Sequence, residues 1–178
     1  PGAQLVVQQG GSLRVDVAVG NVDVDSLLHW FSATKPLAAV AVGQLWERGA
    51  LCLDDPVCRY IPEFAAAEKS DITLRHLLTH TGGFRSRLDL EWGDVSWEDA
   101  IGRVCAARKE RRWPTGRKAG YHIASSWYAL GEVVCRIDGR PYDQYVREEI
   151  FLPLGMSDCW LSMSEDRYRD YGGRLASV

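Results

Sequence analysis

A serine and a lysine three residues apart, Ser32 and Lys35, stand just before an apolar run from Leu37 to Trp46 in a chain of 178 residues. Positions i and i+3 share one face of a helix, so the hydroxyl and the amine would lie side by side. Serine is a weak nucleophile until a neighbour takes its proton or stabilises its alkoxide. A lysine partly desolvated against an apolar core has its pKa lowered enough to help. The positive end of a helix adds a field that favours the developing oxyanion. Pro36 is tolerated only in a first turn, where its missing N–H has no partner in any case. The spacing therefore predicts a helix over 32–48 with Ser32 at its mouth. Because the run is apolar on all sides, this helix is expected to be a buried central element. The bland alternative is a capped core helix with a surface lysine.

The elements that must position this pair follow from the rest of the chain. Hydrophobic residues make up 46% and charged residues 25% of the sequence, the balance of an ordinary globular protein of one domain, residues 1–178. The net charge of −3 gives no reason to expect a nucleic-acid partner. No window reaches the roughly 18 apolar residues of a membrane span. Five cysteines, Cys52, Cys58, Cys105, Cys135 and Cys159, show no C-x-x-C spacing. They read as free thiols, and with no visible signal peptide they predict a cytoplasmic protein. His76 and His80 are four apart and could share a helix face, but no third ligand has zinc spacing, so neither metal nor cofactor is expected.

Gln4–Val7 and Leu13–Val19 are β-rich runs around Gln9-Gly10-Gly11, which predicts a hairpin over 4–19. Val15, Val17 and Val19 alternate with Asp16 and Ala18, giving one buried face. A helical lobe follows over about 55–156. Asp55 is expected to cap a short helix starting at Pro56, Thr73 a second, and Ser96 a third running to about Arg108. Ser125 or Ser126 would cap a fourth that Gly139 closes, and Pro141 opens another to Phe151. Arg108, Lys109, Arg111, Arg112, Arg117 and Lys118 form a basic run that reads as a solvated loop or as an anion-attracting rim. Residues 157–178 contain no clear strand.

Five stretches occur in an order that resembles the serine β-lactamase and penicillin-binding-protein superfamily: Ser32-Ala33-Thr34-Lys35-Pro36, Leu53-Asp54-Asp55-Pro56-Val57, Ile72 to Gly83, Trp127-Tyr128-Ala129-Leu130-Gly131 and Pro153-Leu154-Gly155-Met156. The likeness is to the branch of class C β-lactamases, esterases, D-aminopeptidases and acyltransferases, and it covers the chain from the hairpin to about Met163. It implies an α+β fold, β-lactamase/transpeptidase-like, with an antiparallel sheet beside a helical lobe. By the same resemblance Ser32 would be the nucleophile of an acyl-enzyme, Lys35 would assist it, and a second-motif tyrosine would serve as base and acid. Tyr121, in Gly120-Tyr121-His122-Ile123, is the candidate. Counting back from Gly131 makes His122 its rival. Ser125 and Arg117 are expected to line the substrate cleft.

Two departures from the family pattern shape the expected function. The asparagine two places after the tyrosine is replaced by Ile123, and Asn21 is the only asparagine in the chain. In the β-lactamases that side chain orients the substrate amide, so the replacement favours ester or other acyl chemistry. The third motif, Lys-Thr-Gly or His-x-Gly on a strand that supplies the second oxyanion N–H, is absent, and only two sheet strands are visible. The C-terminal strands of the sheet would therefore have to come from a further segment or a second chain. The expected activity is acyl transfer through a serine on a small-molecule ester or amide, ending in hydrolysis or in transfer to an amine or alcohol. The alternatives are a β-lactamase, a DD-peptidase-type penicillin-binding protein, a β-lactam sensor that acylates without turnover, or a non-catalytic scaffold.

Overall fold

Gly10 and Gly11 both adopt positive φ, 57° and 76°. Two consecutive left-handed residues make the tight turn whose twist suits a hairpin, and glycine reaches that region without steric cost. The turn joins β1 (Gly2–Gln9) and β2 (Ser12–Gly20), which pair antiparallel with an irregularity between Val7 and Gln8. The structure is a computed structural model that describes residues 1–86 and 95–176. Packing divides the chain into two units, Pro1–Phe31 with Asp158–Val178, and Ser32–Ser157.

In the first unit the hairpin is the only sheet among the described residues. The expected buried valine face is not buried: Val17 is 46% and Val19 62% exposed, and Leu5, Val6 and Leu13 are also open. Alternation marks which face is apolar, but a face is buried only if something covers it. Helix α6 (Glu165–Tyr171) was not expected from the sequence; Ser164 caps it by accepting the Arg167 N–H. The chain then returns beside residue 27, where Leu27 N–H donates to Arg174 O at 2.7 Å and Ala176 N–H to Leu27 O at 3.0 Å. Asp158 accepts from both Tyr171 Oη and Arg174, which ties α6 to its own connection.

The second unit is helical. Helix α1 (Lys35–Glu47) starts after a 3-10 turn, Phe31–Thr34, so Ser32 lies ahead of the α-helix. It ends where Gly49 N–H reaches Trp46 O and Ala50 N–H reaches Leu45 O, the paired bonds of a Schellman closure. Leu37, Ala38, Ala41, Val42 and Leu45 are buried, but Val40 and Trp46 stand 47% and 54% exposed. The helix is thus one-sided rather than buried all round.

The central element is α4 (Ser125–Asp138), which packs against α1, α2 (Leu74–Leu78), α3 (Trp97–Ala106) and α5 (Tyr142–Val146). Gly131 makes that possible: a Cβ there would stand 2.8 Å from the Trp97 ring and 3.2 Å from the Tyr142 ring. No serine side chain caps α4; Ala124 occupies the cap position, and Ser125 and Ser126 are wholly buried in the first turn. Asp55 does not cap a helix at Pro56 but braces the preceding turn, accepting Cys52 N–H at 2.8 Å and Tyr60 Oη at 2.5 Å. After α5 the chain widens into a π-helical turn, Arg147–Phe151.

One charged side chain is sealed in this unit. Lys69 has no exposed surface. Its Nζ donates to Ala66 O at 2.9 Å, to Cys105 O at 2.7 Å and to Ala107 O, so it closes the carbonyl end of α3. Burial holds its ammonium below the usual lysine value.

Candidate active site

Ser32 Oγ is the meeting point of two donors. Lys35 Nζ donates to it at 2.9 Å and Tyr121 Oη at 2.7 Å. The 3-10 turn over Phe31–Thr34 accounts for the first contact, since residues three apart eclipse one another in that geometry. Phe31, immediately ahead of the serine, holds φ at 45°, a left-handed conformation uncommon for a bulky side chain. Pro36 sits in the first turn of α1, as the sequence requires.

Tyr121 arrives from a segment zipped to the stretch after α2. Glu110 N–H donates to Gly83 O, Gly116 N–H to Thr81 O, and Gly120 N–H to His80 O, each at 2.8 to 2.9 Å. These bonds carry residues 110–120 past the Thr-His-Thr-Gly-Gly stretch and deliver Tyr121 to Ser32. Its ring is 53% exposed and open to solvent. Its phenol is held below the ordinary tyrosine value, first by the hydrogen bond to Ser32, against the opposing effect of burial, and then by the bond to and charge of Lys35. The ammonium of Lys35 lies 5.1 Å from the Tyr121 ring centroid and 5.7 Å from that of Trp127, within cation–π range of both.

The alternative base does not share this position. His122 is wholly buried, stacked on Trp113 at 4.7 Å and on His80 at 5.6 Å, and tilted against Phe84 at 5.2 Å. It is a core histidine. Ser125 is likewise wholly buried and cannot line a cleft surface, because the first turn of α4 is embedded among its neighbours. Arg117 is exposed on the loop before Tyr121; its side chain makes no hydrogen bond or ion pair among the described residues. Of the named candidates, Ser32, Lys35 and Tyr121 come together, and His122, Ser125 and Arg117 do not join them. His76 caps α2, its Nδ1 accepting Thr73 N–H at 3.2 Å, whereas His80 lies beyond that helix, so the two do not form a ligand pair on one face.

Two neighbours of the cluster escape a reading by motif. Trp127 flanks Lys35, and His80 stacks on Tyr121 with ring centroids 4.9 Å apart. His80 belongs to a recognisable stretch, but its role depends on contacts about forty residues along the chain, which spacing does not reveal.

The family model for Beta-lactamase matches residues 1–174. The chain belongs to the Beta-lactamase family. Esterase EstB of Burkholderia gladioli is 31% identical to it over 195 residues, covering 94% of this chain and 49% of the esterase. Among solved structures, a penicillin-binding-protein homologue from Caulobacter crescentus superposes with a TM-score of 0.80 at 29% identity, over 99% of this chain and 48% of that one. A class C β-lactamase from Rhodobacter sphaeroides superposes with a TM-score of 0.77 at 25% identity, over 99% and 49%. This Beta-lactamase-family chain thus has the β-lactamase/transpeptidase-like fold and spans about half the length of the relatives it matches.

Proposed function

We propose that Ser32, Lys35 and Tyr121 are the acyl-transfer machinery of a serine enzyme acting on a small-molecule ester or amide, foremost as an esterase. The observation that carries this reading is the convergence of Lys35 Nζ and Tyr121 Oη on the single oxygen of Ser32. Tyr121 as phenolate takes the Ser32 proton while Oγ bonds to the carbonyl carbon. The tetrahedral oxyanion collapses, the leaving alcohol or amine departs with the proton that Tyr121 returns, and Ser32 is left acylated. Water then attacks as Tyr121 accepts its proton, and collapse frees the acid while Tyr121 returns that proton to Ser32 Oγ, restoring the serine hydroxyl and the phenolate. An amine or alcohol entering in place of water gives transfer instead. The positive charge of Lys35 stabilises the phenolate.

Ile123 supports esters over β-lactams. It is 37% exposed two residues after Tyr121, and an apolar side chain there offers nothing to an amide. Arg117, with Arg111 and Arg112 on the same exposed loop, supports a preference for anionic donors. The open apolar side chains of β1 and β2 support a covering partner for the hairpin, from another segment or a second polypeptide.

The test is intact-mass measurement after incubation with a fluorophosphonate and with p-nitrophenyl esters. One adduct per chain is expected, lost in Ser32→Ala with its far-UV spectrum unchanged. Undiminished labelling of Ser32→Ala refutes the reading. Stable acylation by a labelled penicillin without release favours the sensor alternative.

A further inference from the structure

His80 holds Tyr121 from three directions. Its imidazole stacks on the Tyr121 ring at 4.9 Å with the planes 28° apart. Its carbonyl accepts the N–H of Gly120 at 2.9 Å, and its Nδ1 accepts the N–H of His122 at 3.0 Å. One residue therefore grips the tyrosine ring and the backbone on either side of it. His80 does so with φ at 58°, a left-handed conformation that costs a non-glycine residue energy and persists only where surroundings enforce it. Trp127 meets the His80 ring edge-on at 5.4 Å and donates its Nε1–H to His122 O at 3.2 Å, closing the frame.

We propose that His80 is a positioning residue for Tyr121, fixing the approach of the phenol to Ser32 and thereby its proton affinity, and that it does so only as the neutral imidazole with Nδ1 unprotonated. This rests on the reading of Tyr121 as the proton-transfer group. The argument for the neutral form is geometric: an Nδ1 that carries a proton cannot accept the His122 N–H. The titratable and charged groups facing the ring are Lys35 from α1 and Tyr121 and His122 from the segment before α4. Burial first, and the Lys35 charge second, hold His80 below the usual histidine value, so the neutral form persists at neutral pH. Protonation in acid would cost the acceptor and set a second cation beside Lys35.

The test uses His80→Gly and His80→Asn. Both tolerate the left-handed backbone. Glycine removes stack and acceptor together; asparagine restores an acceptor oxygen near the Nδ1 position without the stack. The readout independent of turnover is the ionisation of Tyr121. It is one of 7 tyrosines, so it is isolated as the difference in ultraviolet titration between each protein and its Tyr121→Phe counterpart. The midpoint should rise toward that of ordinary tyrosine in His80→Gly and by less in His80→Asn. The rate of fluorophosphonate labelling should fall roughly 10-fold to 100-fold in the glycine variant and recover partly in the asparagine variant. Protonation of His80 should add a second drop in the labelling rate at acid pH, beyond the Tyr121 limb; that drop should be lost in His80→Asn while the Tyr121 limb remains. Tyr121 titrations that superpose on the parent in both variants overturn the proposal. If the glycine variant does not fold, the asparagine variant decides, because an unshifted midpoint there is enough to overturn it. A shifted midpoint with undiminished labelling in Tyr121→Phe leaves the positioning role standing and refutes the base assigned to Tyr121.

Discussion

At the scale of single residues, the proposed chemistry turns on how one phenol differs from an ordinary one. Tyr121 is held below the usual value, so its base form survives to lower pH than that of a free tyrosine. Acylation should therefore rise with pH along a limb whose midpoint lies below about 10, the ordinary tyrosine value. Removing the Lys35 charge removes part of that stabilisation, so Lys35→Met should slow acylation and move the limb to higher pH; pH–rate profiles of the two proteins check both. Tyr121→Phe should cost about 10²–10⁴-fold in acylation rate, the range for loss of a general base. His122 sits in an aromatic stack instead, so His122→Phe should alter thermal stability while leaving the labelling rate per folded molecule within a few-fold. Equal losses in the two variants would mean that the proton-transfer group has been misassigned.

At the scale of elements, Ser32 and Lys35 were legible because a three-residue spacing is met within one turn. Tyr121 was a candidate only through its place before the Trp127–Gly131 stretch, and that its hydroxyl rather than His122 reaches Ser32 follows from the cross-chain bonds of residues 110–120 to residues 80–83. A serine at a helix start looks like a cap, but at Ser125 and Ser126 the start itself is buried and the polypeptide enters through Ala124. Helix α6 went unseen because it is short and has no buried face to impose a period. The glycine of the fourth motif is explained by packing: the Trp97 and Tyr142 rings both close on Gly131. Gly131→Ala should therefore destabilise by about 1–3 kcal/mol through overpacking, seen as a fall in Tm of about 2–4 °C per kcal/mol for a chain of this size. A Tm unchanged within error would show that the rings yield freely.

At the scale of the whole molecule, the hairpin is the element that exposes apolar side chains. Leu5, Val6, Leu13 and Val19 are each more than half open, and among the described residues each strand has an unpaired edge. Such an edge is a template for pairing with another strand. Residues 1–178 alone should self-associate at micromolar concentration, and Val6→Lys with Val19→Lys should reduce the light scattering without changing Ser32 labelling. A monodisperse parent chain would count against strands supplied from elsewhere. The sealed ammonium of Lys69 has a different consequence. The chain has four lysines, and Lys69 alone is wholly buried. An acylating reagent can reach it only when the end of α3 comes away from the segment around Ala66. The time course of its modification, followed peptide by peptide, is thus a built-in chemical clock for how often this part of the molecule opens, running beside the other three lysines as internal standards.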